Sequence, residues 1–341
     1  QFSDNLNAKR SEIYSFDNLS YFFAKQLLVD IQTVKSFNSS DTTWDGNQSF
    51  NDTKEGSGSS VSLGYRPSYS FGITLDAEVY DTNFDISDNG YLYRNNLRNF
   101  LFNPEFEVRD PLFNLRSVQI GFYRGYATNY DADLIIDDYF GSSIRLETNG
   151  LSYFTCSFYI YNEHYDDYYT YDHELKKYGP PFLLPKFYRS FIEFSSNEIA
   201  DFSFDLGVEY TESEIHNRNP FNSNDNFLGF NLRLNSNVQL FSFRNLSLGY
   251  QLRLSSQAYY FLEIIEDEFD SPHYIFSNRD AWSHRYDLRM EEYFTNKLSL
   301  QIFCEYFQVH NLYSNFTEFN SNNRWPQESN FIEGYTDSQG N

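Results

Sequence analysis

Residues 202–211 read FSFDLGVEYT, and residues 246–255 read LSLGYQLRLS. In the first stretch Phe202, Phe204, Leu206, Val208 and Tyr210 alternate with Ser203, Asp205, Gly207, Glu209 and Thr211. In the second, Leu246, Leu248, Tyr250, Leu252 and Leu254 alternate with Ser247, Gly249, Gln251, Arg253 and Ser255. Successive side chains of a β-strand point to opposite faces, so each run has one apolar and one polar face. An amphipathic helix would repeat its apolar residues at spacings of three and four instead. The same alternation recurs in FGITLDAEV (71–79) and LSLQIFCEY (298–306), and the chain offers almost no helical periodicity.

Between these runs, short and long connections take turns. Short turns are expected at 66–68, 110–111, 148–150, 197–198, 242–245 and 295–297. Long polar connections are expected at 39–58, 81–96, 162–186, 212–226 and 263–284, where much of the Asp, Asn, Tyr and His collects. Short turns on one side and long loops on the other are the rhythm of an up-and-down outer-membrane barrel, here of about 14 strands. A soluble β-sandwich, solenoid or propeller also alternates. Against those stand strand runs longer than globular sheets use and aromatics gathered near strand ends, as at Tyr14, Phe16, Tyr21, Phe22 and Phe23 and at Tyr259, Tyr260 and Phe261. The expected fold is therefore all-β: one antiparallel transmembrane β-barrel domain over residues 1–341, with a short lead at 1–10.

Composition agrees with that reading. Phe (36) and Tyr (30) dominate, and aromatics reach 20% of 341 residues, yet the mean hydropathy is −0.61. Forty-eight acidic against 25 basic residues leave a net charge of −23. Nucleic-acid binding is not expected, because it needs a cationic footprint to displace phosphate counterions. No run approaches the roughly 18 uninterrupted apolar residues of a membrane-spanning helix. Cys156 and Cys304 lack metal-ligand spacing and sit in alternating runs, where unpaired apolar roles are expected.

Several passages carry a resemblance. DTNFDISDNGYLYRNNLRNF (81–100) resembles an Asp/Asn-rich loop followed by a Gly-aromatic-Arg-Asn passage, and YGPPFLLPKFYRSFIEFSSN (178–197) resembles a Gly-Pro loop leading into a strand and a Ser-Asn turn. YIFSNRD (274–280), FTNKLSLQIFCEYF (294–307) and YSNFTEF (313–319) follow in order. Together, over most of residues 15–335, these resemble a bacterial outer-membrane β-barrel family of uncharacterised function. Its members usually carry an N-terminal domain similar to family-9 carbohydrate-binding modules. Strands are expected here from about residue 11, which leaves that domain no room, so no sugar-binding role carries over. Members also continue into closing strands past the YSNFTEF-like passage. Residues 320–341 are therefore expected to form an unclosed C-terminal extension, and roughly 16 or more strands follow if closing strands are missing. The resemblance implies a bacterial outer-membrane location, with bilayer and lipopolysaccharide as surroundings and other outer-membrane proteins as candidate partners.

The chemistry-bearing residues each have a plainer role beside the functional one. Asp166, Asp167, Asp172 and Glu174 in NEHYDDYYTYDHELKK (162–177) offer oxygen ligands for a hard cation, with His164 and His173 beside them. No fixed ligand spacing supports a metal, and a solvated loop is the expected role. Asp81-x-Asn83-x-Asp85 opens like a calcium loop but has Ile86 at its sixth position and Leu92 at its twelfth. A turn in which Asp and Asn side chains bond their own backbone is expected instead. Ser283-His284 beside Asp280 is no triad by sequence adjacency, since triads meet through fold geometry. No enzymatic activity and no cofactor are expected.

The polar strand faces hold the remaining signal: Arg145, Arg233, Arg253, Arg289, Asp76, Glu78, Asp205, Glu209, Asp287, Glu291 and Glu305 all alternate with apolar neighbours. In a membrane barrel they face the lumen, because Arg or Lys on the lipid face near the midplane costs roughly 2–4 kcal/mol. Arg233, Arg253 and Arg289 are expected on consecutive strands (227–240, 246–260 and 285–294), paired with Glu209, Asp287, Glu291 and Glu305. The expected function is a passive, porin-like channel for small hydrophilic solutes. The alternative is a plugged barrel serving as a structural or docking subunit, with aromatic loops that bind a protein partner or surface glycan. The long loops are expected to be extracellular.

Overall fold

Alternation of this kind folds into ladders wherever two runs can align their apolar faces. A computed structural model describes residues 9–42, 50–86, 94–109, 114–167, 179–197, 202–213, 228–241, 244–266, 272–295 and 297–319. None of these residues is helical. The strands are β1 (Lys9–Phe22), β2 (Leu27–Thr42), β3 (Phe50–Ser68), β4 (Phe71–Tyr80), β5 (Leu97–Arg109), β6 (Leu115–Thr128), β7 (Ile135–Thr148) and β8 (Tyr153–Tyr161). They continue with β9 (His164–Asp166), β10 (Phe182–Leu184), β11 (Phe187–Ser195), β12 (Phe202–Ser213), β13 (Leu228–Phe241), β14 (Arg244–Glu266), β15 (Pro272–Thr295) and β16 (Leu298–Phe319). Fourteen of them form one antiparallel sheet in strict chain order from β1 to β16, while β9 and β10 pair separately.

The chain divides into two compact units, Gln1–Phe106 with Phe122–Asp138, and Glu107–Gly121 with Tyr139–Asn341. In the first, β4 places Phe71, Ile73, Leu75, Ala77 and Val79 on one face, in register with Leu63, Val61 and Ser59 of β3 and with Phe106, Phe102 and Phe100 of β5. In the second, Leu246, Leu248, Tyr250, Leu252 and Leu254 of β14 lie opposite Met290, Leu288, Tyr286, His284 and Trp282 of β15. Each of these apolar stripes spans nine residues, and the β14–β15 stripe is bounded by Arg244↔Glu292 on one side and Ser256↔Asp280 on the other.

Among the described residues nothing covers the apolar stripes. Leu234 is 43% exposed, Leu248 46% and Ile302 43%. A sandwich would divide its strands between two facing sheets and bury these positions in between. Here the fully buried apolar residues among those described are Phe84, Ala127, Phe182, Leu183, Ile275 and Phe276, most of them in connections or at strand ends.

Several expected connections prove to be strand. Within 39–58, residues 39–42 pair with 50–53, and β3 continues through 58. Within 263–284, β14 runs to Glu266 and β15 begins at Pro272, so β15 starts well before the expected 285. The physical reason is that a hydrogen-bonded ladder in water needs no apolar face. The overhang at 50–58 therefore has the composition of a loop, whereas the one at 272–284 carries Phe276, which is buried. The expected turn at 148–150 is closed by the Leu151 N–H donating to Thr148 O at 3.0 Å.

The described parts of two long connections fold down rather than standing free. In the first unit, the Asp81 Oδ2 accepts from Ser57 N at 2.6 Å and Ser57 Oγ at 2.8 Å, while its Oδ1 accepts from Asn83 N at 2.9 Å. That is the expected side-chain-to-backbone turn. It sets Phe84, 2% exposed, parallel to Tyr80 with ring centroids 5.3 Å apart. Gly56 and Gly58 make room: a Cβ at Gly56 would stand 2.5 Å from the Asn83 backbone, and one at Gly58 would stand 2.9 Å from the Phe84 ring. Ser36, wholly buried, accepts from Asp85 N at 3.2 Å. In the second unit, the β9–β10 hairpin buries Phe182 against Phe276 of β15 at 5.3 Å.

Candidate functional site

The polar face of β11–β16 brings most of the singled-out residues together. Directly opposed residues of an antiparallel pair share a face, as do residues two apart on one strand. Arg233 lies opposite Gly207 and Gln251, Arg253 opposite Asn231 and Ser283, and Arg289 opposite Ser247 and Phe303. Glu209 lies opposite Asn231, Asp287 opposite Gly249 and Glu305, and Glu291 opposite Asn245 and Gln301. All seven residues therefore share one face of this unit, the face away from Leu246–Leu254.

The ion pairs on that face are made by different arginines. Arg285 Nε lies 3.1 Å from Asp287 Oδ1, and its Nη2 lies 3.0 Å from Glu305 Oε2. Arg189 Nη2 lies 2.8 Å from Glu209 Oε1. Among the described residues, Arg233, Arg253 and Arg289 take part in no ion pair. The Arg233 guanidinium instead lies 5.4 Å from the Phe191 ring centroid and that of Arg289 5.6 Å from Phe303, while Arg145 lies 4.3 Å from Tyr153. Glu291 accepts from Tyr293 Oη at 3.0 Å.

The expected pairing is thus corrected. Same-strand and diagonal geometry decides the partners: Arg285 is two residues from Asp287 and diagonal to Glu305, so it reaches both carboxylates at once. Arg189 and Arg285 were the residues that sequence reasoning missed. Their signal was available, because Arg189 shares a face with Phe191 and Glu193, and Arg285 with Asp287, in the same period-two pattern.

Gly249 gives this face its depth. A Cβ there would stand 3.1 Å from Asn235 Oδ1 and 3.2 Å from Asp287 Oδ2, so the missing side chain leaves space for both polar groups. Beside it, Gln251 Nε2 donates to Asn231 Oδ1 at 3.0 Å.

The other candidates do not assemble. Ser283 and His284 are successive strand residues and point to opposite faces, and His284 Nδ1 contacts Tyr250 Oη at 2.9 Å. Of the oxygen ligands in the 162–177 loop, Asp166 and the buried Asp167 are described, whereas Asp172 and Glu174 lie outside the described residues, as does His173. His164 is buried, its Nδ1 2.8 Å from Asn162 O and its ring 6.1 Å from Phe187. Among the described residues no three His, Cys, Asp or Glu side chains are grouped to hold a metal ion. Cys156 and Cys304 are unbridged, and both fall on the apolar face, opposite Ile144 and Leu288.

Compared with known families, residues 24–339 match the one described as Domain of unknown function (DUF5916). No curated protein matches the chain.

Proposed function

Because the chain belongs to the DUF5916 family, whose description leaves its role open, we propose a role from the geometry: an outer-membrane β-barrel that passes small hydrophilic solutes. One observation carries this reading. Nine-residue apolar stripes recur in register across strands, half exposed, and each is backed by a face of Arg, Asp, Glu, Asn and Ser. A transmembrane β-strand needs about 9–11 residues at its usual tilt, with an apolar band toward lipid and polar residues toward the lumen. In this reading β1 and β16, the terminal members of the strand order, pair to close the wall, and closure satisfies every backbone group inside the bilayer. The long connections face outward among lipopolysaccharide, and the short turns face the periplasm.

A second reading is favoured by a specific feature. Phe84 and the 81–86 turn fold onto Gly58 and Tyr80, which lie on the polar face with Ser60 and Glu78. A lumen narrowed from this side would suit a plugged barrel that serves as a docking subunit. Planar-bilayer recording separates the two. Stable stepwise conductance supports the channel. A silent protein that is correctly inserted, judged by protection of its strands from protease, overturns the channel and favours the plugged subunit.

A further inference from the structure

The polar face of β14–β16 contains a cavity of about 330 Å³ lined by Gln251, Arg253, Ser283, Arg285, Glu305 and Phe307. Arg285 is committed there, held by Asp287 and Glu305 at 3.1 and 3.0 Å. Its guanidinium partly offsets the charge of Glu305, the one carboxylate that lines the cavity. Arg253 is different: among the described residues its guanidinium has no side-chain partner, and neither does the Ser283 hydroxyl directly across the β14–β15 ladder. Arg233 stands diagonal to Arg253, since Arg233 opposes Gln251 and Arg253 opposes Asn231. Diagonal neighbours lie roughly 7–8 Å apart at the backbone, within reach of long side chains. The Arg233 side chain turns the other way, to Phe191 of β11, so Arg253 faces the cavity without it, and among the described residues no carboxylate pairs with Arg253. A guanidinium binds planar or tetrahedral oxyanions through its fork of N–H donors.

We infer that Arg253, with Ser283 directly across the ladder, forms a binding site for a small solute bearing an oxyanion, carboxylate or phosphate. The site deepens the channel reading by giving the wall a preferred solute class. It runs against the acidic excess of the whole chain, whose net charge is −23. The bulk charge therefore does not set the preference of this wall.

The test is calorimetric titration of the folded chain in non-ionic detergent at low ionic strength, with citrate, pyrophosphate and spermidine as probes. Citrate or pyrophosphate binds saturably at one site; whichever binds more tightly identifies carboxylate or phosphate as the preferred group. Arg253→Gln weakens that binding at least tenfold, Arg253→Lys weakens it less, and Lys297→Gln at the β15–β16 turn leaves it unchanged. Absence of saturable oxyanion binding overturns the site, as does Arg253→Gln binding like the parent or spermidine binding more tightly than either anion. Arg253 is exposed, so its loss leaves the strand spectrum intact, which circular dichroism verifies. Binding in detergent needs no conduction. A chain that conducts without binding defeats this site alone, and one that binds without conducting defeats the channel alone.

Discussion

Placing a charge on the apolar face is the sharpest test of what surrounds the sheet. Leu248 lies on the β14 stripe, opposite Ser236 and Leu288, and is 46% exposed. From Leu246 to Leu254 the strand rises about 27 Å at roughly 3.4 Å per residue. At the usual tilt of about 40° that is roughly 21 Å across the bilayer. Tyr250 is then central, and Leu248 sits about 5 Å from the midplane by the same arithmetic. Leu248→Arg therefore costs about 2–3 kcal/mol in lipid, near the midplane range for Arg. In water the same exposed substitution changes stability by no more than about 0.5 kcal/mol. The matched control is Asn235→Arg, at nearly the same height but on the other face, opposite Asp205. Its cost stays within about 0.5 kcal/mol, because a surface ion pair replaces a solvated amide. Urea unfolding from lipid vesicles, followed by Trp fluorescence with Trp282 on the same apolar stripe, measures both. Equal stability of Leu248→Arg and the parent would refute the reasoning, as would an equal penalty for Asn235→Arg.

Three further outcomes follow. Phe84→Ala removes the ring that is stacked on Tyr80 and loosens the 81–86 turn by about 3 kcal/mol; cleavage by protease in folded protein then rises at 82–96, and single-channel conductance increases. Arg285→Gln leaves Asp287 and Glu305 directly opposite one another, which destabilises by about 1 kcal/mol, a deficit that shrinks in 1 M NaCl when measured by the same urea titration. In intact cells a membrane-impermeant maleimide labels Glu174→Cys but not Asn197→Cys; the reverse pattern inverts the topology.

Sheet order, strand directions and the sorting of faces were legible because they depend on a period-two pattern that the sequence displays openly. Phe202–Tyr210, Leu246–Leu254 and Phe71–Val79 became the apolar stripes, and Arg233, Arg253 and Arg289 fell on one common face. Strand ends were less legible. Residues 50–58 are polar, and a ladder extending into water has no burial requirement to mark it; residues 272–284 break the alternation instead, with Ile275 and Phe276 buried, Phe276 against Phe182. Side-chain partners were the least legible. Arg285 takes Asp287 and Glu305 through diagonal geometry that appears only once the β15–β16 register is fixed. The docking of Phe182 on Phe276 was invisible for a related reason: the two residues are far apart in sequence, and no local pattern links a hairpin to a strand several places away in the sheet.

In the proposed barrel, closure of the wall is the step that joins belt and backbone. β16 is 22 residues long, pairs with β15 and ends the strand order. In a strand, alternate residues turn both N–H and C=O to the same edge. Nine residues in hydrocarbon thus leave roughly four or five of each group unpaired at an open edge, at several kcal/mol apiece. The total, on the order of 20 kcal/mol or more, exceeds the usual 5–15 kcal/mol net stability of a folded protein. An apolar belt in lipid and an open β16 edge are therefore incompatible. Cys304 offers a direct probe, being a free thiol on the exposed apolar face of β16. On β1 the matching face holds Tyr14, Phe16, Asn18 and Ser20, opposite Lys35, Thr33, Ile31 and Val29. In a Cys156→Ser background reconstituted in vesicles, a cysteine scan of residues 14–20 gives an intramolecular disulfide with Cys304 at one or two even positions. Ser15, Asp17 and Leu19 positions do not cross-link, because a disulfide needs Cα atoms within about 7 Å and side chains on the same face. Cross-links only between chains, or only at odd positions, would show that β16 meets something other than β1.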